Sequence, residues 1–173
     1  MQFSIQREAL LKPLQQVVGV VERRQTLPVL ANLLVKVADG KLSLTGTDLE
    51  VEMIATASAD KLVEGETTIP ARKLFDIVRA LPDGAQIELK LNGDRVALNA
   101  GRSLFTLATL PATEFPTIDE IELVERVSLP EEVLRDLMER TAFAMANQDV
   151  RYYLNGMLLD LQEHTLRCVA TDG

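Results

Sequence analysis

The sequence predicts an α+β protein in which a strand-helix-three-strand unit occurs twice within residues 1–122. Two segments, residues 6–21 and 70–81, carry apolar residues at helical spacing. The segments around them alternate between apolar and polar residues, which is typical of half-buried strands. The pairs Asp39-Gly40 and Asn92-Gly93 favour two-residue β-hairpins. We therefore expect two helices and about eight strands in antiparallel sheets.

The first unit opens with the alternating strand MQFSI, and a helix is expected from Gln6 to Val21. Pro13 lies inside this helix, so the pattern predicts a late start or a kink. Strands are predicted over residues 31–38 and 41–46, and a third in LEVEMIATA.

In the second unit ETTIP leads into a helix in PARKLFDIVRAL, where Pro70 suits a helix N-terminus. The apolar residues of this helix share one face and leave Arg72, Asp76 and Arg79 on the other. The hairpin QIELKLNGDRVALNA and the alternating strand SLFTLATL complete the unit.

An internal repeat extends the chain beyond residue 122. Residues 3–49 align with 127–173 at a constant offset of 124, which brings Thr47-Asp48 onto Thr171-Asp172. Residues 1–122 are thus expected to form one complete domain, and residues 123–173 the start of a second domain with the same fold. The segment LPATEFPTIDEIELVER is interpreted as the linker. We expect an apolar cluster in the second domain to be core: Leu134, Leu137, Met138, Phe143 and Met145.

Composition excludes several classes of site. The chain has one cysteine, Cys168, and one histidine, His164, too few for a zinc site or a disulfide framework. His164 lies in the turn-like QEHT, which argues against a catalytic triad. No apolar run is long enough for a membrane span, and the N-terminus does not resemble a secretory signal. A cytoplasmic protein is expected.

The charge is unevenly distributed along the chain. Segments 6–28 and 70–81 contain seven Lys and Arg against three acids, a charge of +4 that leaves −12 for the rest of a chain whose total is −8. Both segments contain a predicted helix. This split predicts one positive, helical face on an acidic molecule, although random scatter is the alternative.

Several strings resemble the bacterial DNA polymerase III beta subunit family, the replication sliding clamps, from Met1 to Gly173. They are LLKPLQQV, TLPVLANLL, LSLTGTDLE, PARKLFDI, GRSLFTLATLP, QDVRYYLNGM and VATDG. The resemblance implies three similar domains per subunit and a head-to-tail homodimer ring around duplex DNA. Helices would line the hole and sheets would form the outer shell. Such a protein is a processivity factor without catalytic residues, metal or cofactor. This chain would then be an N-terminal fragment.

The resemblance also implies which residues contact DNA. Arg24 and Gln148, which are equivalent in the repeat, lie in loops that face DNA in the family, and Tyr152 and Tyr153 lie nearby. Arg72 and Arg79 are candidates on a helix face. Alternatively, Arg24 and Gln148 lie in solvated loops and the two tyrosines are packed aromatics. Arg72 and Arg79 could instead form ion pairs with Asp76.

Two further sites are implied. The strand SLFTLATL resembles the subunit-interface edge, with Lys73, Phe105 and Leu107 as interface residues. The alternative is that Phe105 and Leu107 belong to the domain's own core. Leu154, Thr171 and Gly173 match part of a groove for short peptides of the polymerase, the clamp loader and repair proteins. The groove is incomplete here, so we expect such binding to be weak or lost.

Two other functions remain open from the sequence. Asp48, Glu50 and Glu52 form a carboxylate group that a metal-dependent enzyme could use. Their alternation along a predicted strand favours a simple solvent-exposed pattern instead. A self-assembling structural domain that does not bind DNA is the second alternative.

Overall fold

The computed structural model describes residues 1–21, 27–118 and 127–173. The chain divides into two compact units, Met1–Glu120 and Ile121–Gly173, which are described separately below. The domain boundary predicted at residues 122 and 123 falls outside the described residues and stays a prediction.

The first unit contains two α-helices, α1 (Arg7–Val17) and α2 (Ala71–Ala80). Helix α1 includes Pro13 as a buried residue, so the helix does not start late. It ends at Val17 and not at Val21 as expected, because the following residues form a turn in which the Val21 amide donates to the Val18 carbonyl at 3.3 Å. Helix α2 follows Pro70, as predicted.

Nine strands, one more than about eight, are present in the described part of the first unit. The unpredicted strand is β5, whose sequence DKLV is too short and too polar to show alternation. The predicted strand LEVEMIATA is strand only from Glu52, because the residues before it form a turn. The strands are β1 (Gln2–Gln6), β2 (Asn32–Ala38), β3 (Lys41–Thr47), β4 (Glu52–Ala57), β5 (Asp60–Val63), β6 (Gly65–Pro70), β7 (Gln86–Asn92), β8 (Arg95–Ala100) and β9 (Ser103–Ala108).

The two antiparallel sheets exchange strands between the two halves of the unit. One sheet has the order β4-β3-β2-β6 and the other β5-β1-β7-β8-β9. Strand β1 therefore pairs with β7, from the second half, while β6 pairs with β2 from the first. An isolated bridge, Thr68 to Leu110, links β6 of the first sheet to the segment that follows β9 of the second. The buried Asn32 amide donates to Thr68 Oγ1 at 2.8 Å, and that hydroxyl donates to the Leu110 carbonyl at 2.9 Å.

Both helices contribute to one apolar core. Leu14 and Val17 of α1 and Val78 of α2 are fully buried, together with apolar residues of both sheets. Gly46 of β3 permits this packing, because a Cβ there would lie 2.9 Å from the Val17 carbonyl oxygen. Helix α1 thus approaches the sheet where there is no side chain to hold it away.

The second unit repeats the opening elements of the first. It contains α3 (Glu131–Thr141), β10 (Leu158–Gln162) and β11 (Thr165–Val169). Both ends of α3 lie 124 positions after those of α1, in agreement with the predicted repeat. Strands β10 and β11 form a hairpin whose turn contains His164, as predicted.

The apolar cluster expected to be core in the second unit is not buried. The exposed fractions of Met138 and Phe143 are 45% and 87%, while Leu134, Leu137 and Met145 are half-buried. No residue described between 127 and 173 is fully buried. The reason is that α3 has only one hairpin beside it, whereas α1 packs with a second helix and two sheets.

Candidate nucleic-acid interface and docking sites

The exposed residues of α1 and α2, here called the helix-pair face, carry a net positive charge. Four cations outnumber two acids on this face, whereas the whole chain has a charge of −8. The cations are Lys12, Arg72, Lys73 and Arg79, and the acids are Glu8 and Asp76. Arg72, Lys73 and Arg79 are thus exposed on α2, and Lys12, which was given no site role from the sequence, is exposed on α1.

Arg7, also counted in the positive segments, does not belong to this face. Its side chain is only 13% exposed and holds α1 against the end of α2. The guanidinium donates to the carbonyls of Val78 and Arg79, both at 3.1 Å, and pairs with Asp83 at 2.7 Å. Carbonyls in the last turn of a helix lack partners within the helix, so this cation stabilises the C-terminus of α2.

Glu8 reinforces the same junction. Its carboxylate accepts the Gly84 amide at 2.9 Å. This backbone hydrogen bond lowers the pKa of Glu8, with a smaller contribution from Arg7. One acid of the helix-pair face is thus already engaged with the protein.

The other end of the helix pair is joined by Arg72. Its guanidinium donates to the Val21 carbonyl at 2.8 Å, so Asp76 is not its partner. Asp76 pairs with Arg79 at 3.0 Å, which is the ion pair given above as the alternative role of Arg79. Arg79 also lies 5.3 Å from the centroid of the Phe75 ring. Both arginines remain largely exposed, so their guanidinium groups are accessible to an anionic ligand.

In the second unit, residues 146–155, here called the tyrosine loop, present Gln148, Tyr152 and Tyr153 to solvent. The two tyrosines are 82% and 68% exposed, and their ring centroids lie 6.1 Å apart in an edge-to-face arrangement. Gln148 has a φ of +59°, a conformation that turns the chain sharply. Exposed, unstacked ring faces of this kind can stack on bases.

Arg151 fixes the base of the tyrosine loop. It donates to both carboxylate oxygens of Asp149, at 3.1 and 3.0 Å, and to the Asp172 carbonyl at 3.2 Å. The side-chain hydrogen bond from Arg151 is the largest cause of the lowered pKa of Asp149. The same bond raises the pKa of Arg151.

A small apolar cavity of about 200 Å³ lies beside this loop. Leu154 and Thr171, both predicted as groove residues, line it together with Tyr153. Gly173 is not part of the lining. It has a φ of +111°, and a Cβ added there would lie 2.8 Å from the Arg151 guanidinium.

The predicted interface strand β9 is an edge strand of the five-stranded sheet. Leu107 is only 8% exposed and belongs to the core, and Phe105 is half-buried against it. The alternation of β9 instead turns Leu104, 66% exposed, outward. The backbone edge and Leu104 are therefore the accessible features of this strand, and Lys73 is exposed on α2.

Arg24 falls outside the described residues, so its predicted role stays a prediction. Three residues were given no site role from the sequence, although Lys12 was counted among the basic residues of segment 6–28. Lys12 carries only the weak signal of its helical position. The alternation of β9 places Leu104 opposite Phe105 and Leu107 without showing which side is exposed, and Arg151 is recognisable only from its contacts.

The carboxylates proposed for metal chemistry serve a turn instead. Asp48 accepts the amides of Glu50 and Val51 at 2.9 and 2.7 Å, and Glu52 accepts the Ile118 amide at 3.2 Å. Among the residues that the structure describes, no group of three His, Cys, Asp or Glu could hold a metal ion.

Within the same residues, none of the helices has both the length and the apolarity needed to traverse a bilayer.

Comparison with known proteins gives consistent matches over the chain. A Beta sliding clamp of Pseudomonas putida is 58% identical, and one of Escherichia coli K12 is 55% identical, each across the whole chain. A crystal structure of the DNA polymerase III subunit beta from Pseudomonas aeruginosa superimposes with a TM-score of 0.97 at 56% identity over 100% of the chain. A pol III beta structure from Caulobacter crescentus gives 0.94 at 42% identity, also over 100%.

The chain spans about half the length of these relatives, 47% of the two Pseudomonas proteins and 48% of the other two. Residues 128–173 match the model of the DNA polymerase III beta subunit central domain. Residues 1–119, well over half of the chain, match the N-terminal domain model, and the chain accordingly belongs to the DNA polymerase III beta subunit family.

Proposed function

We propose that the chain is the N-terminal part of a DNA sliding clamp, a homodimeric ring that encircles duplex DNA and tethers the replicative DNA polymerase. Relatives that match the whole chain bear the name Beta sliding clamp, which supports this function. A ring holds a bound polymerase near its substrate at high effective concentration, so processivity rises without new catalytic chemistry. The clamp itself is not an enzyme and acts in the cytoplasm without a cofactor.

The observation that carries the proposal is the positive helix-pair face on a chain with a charge of −8. Cations attract phosphates without reading base sequence, which permits sliding. Acids elsewhere on the molecule disfavour nucleic acid on other surfaces.

Individual residues are assigned by this proposal. Arg72 and Arg79 of the helix-pair face contact phosphates. Gln148 and the loop residue Arg24 contact the DNA backbone, and Tyr152 and Tyr153 stack on exposed bases. Their exposure supports the assignment for every one of them except Arg24, which the structure does not describe.

The proposed partner sites are the β9 edge and the small cavity. Lys73 and the β9 edge, which carries Phe105 and Leu107, contribute to the subunit interface of the ring. An edge strand with free backbone groups is suited to pairing with another chain. Leu154, Thr171 and Gly173 contribute part of a groove for short peptides of polymerase, clamp loader and repair proteins. A cavity of about 200 Å³ is below the usual size of a ligand site, which fits weak or absent peptide binding by this chain.

Fluorescence anisotropy with a labelled DNA duplex tests the function. The logarithm of the association constant should fall linearly with the logarithm of salt concentration, and unrelated duplex sequences should bind equally. Lys12→Ala should reduce the salt slope by about 1, as expected for a lost phosphate contact.

Lys90→Ala is the matched control, because Lys90 is an exposed lysine on a sheet strand. It should leave the slope unchanged. Absence of binding at about 50 mM salt, or binding indifferent to salt, would exclude the DNA role and favour a self-assembling domain.

A further inference from the structure

The tyrosine loop is closed at its base by three hydrogen bonds. The Ala146 amide donates to the Leu154 carbonyl at 2.9 Å. The Asp149 amide donates to Asn155 Oδ1 at 2.9 Å, and Asn155 Nδ2 donates back to the Asp149 carbonyl at 3.0 Å. The exposed residues Gln148, Tyr152 and Tyr153 are therefore carried on a frame whose fixed points are Asp149 and Asn155.

Arg151 connects this frame to the segment 171–173. One guanidinium bonds to the Asp149 carboxylate within the loop and to the Asp172 carbonyl outside it. The Arg151 amide also donates to Asp149 at 2.7 Å, which fixes the backbone of both residues. The Gly173 amide donates to Thr171 Oγ1 at 3.1 Å, so the segment on the other side is ordered as well.

We propose that Arg151 is a positioning residue that couples the DNA-facing tyrosine loop to the segment 171–173 and its adjacent cavity. The proposal rests on the proposed function, which makes the loop a DNA contact and the cavity a partner site. A ligand that displaces Thr171 shifts the Asp172 carbonyl, and Arg151 transmits this shift to Asp149 and the loop.

Two residues of the cavity belong to the loop itself, which supports the coupling. Tyr153 lines the cavity, and Leu154 lines it while its carbonyl closes the loop. Arg151 has no counterpart in the first unit, where Leu27 occupies the equivalent position 124 residues earlier. The coupling device is therefore specific to the second unit.

The chain contains two tyrosines, Tyr152 and Tyr153, and no tryptophan. Biosynthetic 3-fluorotyrosine therefore gives ¹⁹F NMR signals from this loop alone. Thr171→Val removes the hydroxyl that accepts the Gly173 amide and should shift both ¹⁹F resonances. In an Arg151→Lys background, the same substitution should leave the Tyr152 resonance in place, because lysine keeps the charge but cannot bridge Asp149 and Asp172. Tyr153 lines the cavity with Thr171 and responds to the substitution directly, so the Tyr152 resonance is the diagnostic one.

The matched control is Thr165→Val, an exposed threonine at the start of β11, which should not move the resonances in either background. Equal shifts of the Tyr152 resonance from Thr171→Val in the wild-type and Arg151→Lys backgrounds, or no shift of it in either, would overturn the coupling. This result does not depend on DNA binding, so it is distinguishable from failure of the proposed function.

DNA affinity supplies the second readout. Arg151→Lys should weaken binding to a primer-template duplex about fivefold with an unchanged salt slope, because net charge is conserved. Arg167→Lys, in another arginine–aspartate pair of this unit, should leave affinity unchanged. Arg151→Gln, which removes the charge, should also leave the slope unchanged, because a slope reduced by about 1 in this variant would mean that Arg151 contacts a phosphate directly, which contradicts a positioning role.

Discussion

The first and second units share their helices and strands at equivalent positions, but they differ in how far those elements are buried. Helices α1 and α3, and the short 3-10 helices Pro28–Ala31 and Tyr152–Asn155, occur at the same offset of 124. Yet Leu14 is fully buried while Met138, its equivalent, is 45% exposed. Local sequence thus specifies the elements in both units, whereas burial requires a second helix and the sheets.

The largest expected effect separates these two helices. Leu14→Ala should reduce the free energy of unfolding by about 2–5 kcal/mol, because it opens a cavity in a closed core. Met138→Ala should cost less than about 1 kcal/mol, because the side chain is already partly in water. Urea unfolding followed by circular dichroism for the first unit and by tyrosine fluorescence for the second measures both. Equal losses would show that the helices are packed alike.

The next effect concerns the glycine beneath α1. Gly46→Ala should cost about 1–3 kcal/mol, because the new Cβ would press on the Val17 carbonyl oxygen. The repeat already has alanine at the equivalent position, Ala170, so Ala170→Gly should change stability by no more than about 1 kcal/mol. Urea unfolding of both variants is the measurement. A neutral Gly46→Ala would mean that α1 is free to move away from β3.

A smaller effect compares one arginine from each unit. Arg7→Ala should cost about 1–2 kcal/mol, because two carbonyls at the end of α2 lose a charged donor. Arg135→Ala should cost about 0.5 kcal/mol or less, because Arg135 makes an exposed pair with Glu131 one turn away. Thermal unfolding followed by circular dichroism distinguishes them. If the two losses match, Arg7 does not hold the helix pair together.

The smallest effect is a pH dependence in the turn after β3. The backbone amide of Val51, and then that of Glu50, lowers the pKa of Asp48 in the folded state. Stability from this carboxylate is present above the unfolded pKa of about 3.9 and is lost as pH falls through the lower folded value. The stability difference between the wild type and Asp48→Asn should therefore shrink as the pH is lowered below about 4. A stability difference between the two proteins that is constant with pH would contradict the hydrogen bonds from the Glu50 and Val51 amides to the Asp48 carboxylate.

Periodicity in the sequence was sufficient for most helices and strands but not for their partners. The alternation of MQFSI predicts β1, yet nothing local indicates that its neighbour is β7, more than 80 positions later. Strand β5 was missed because a short polar edge strand has no apolar pattern. The prediction of a core around Met138 was wrong, because helical spacing shows which face of α3 is apolar but not which elements pack against that face.

The candidate site was predictable to the same degree. Charge counting found the helix-pair face, and the family resemblance supplied the tyrosine loop. Neither indicated that Arg7 bonds to the Arg79 carbonyl or that Arg72 bonds to the Val21 carbonyl. Both bonds are made with residues far away in the sequence, which periodicity and charge counting do not locate. Leu107 illustrates the same limit, since period-2 alternation does not say which side of β9 faces inward.

The strand exchange has a consequence for synthesis on the ribosome. Residues 2–6 leave the ribosome first, but their main partner, residues 86–92, follows only after most of the unit has been made. Until then the nascent N-terminus carries unpaired backbone groups and apolar side chains, the conditions under which chains aggregate or recruit chaperones. Slow translation ahead of residue 92 should lengthen that vulnerable interval.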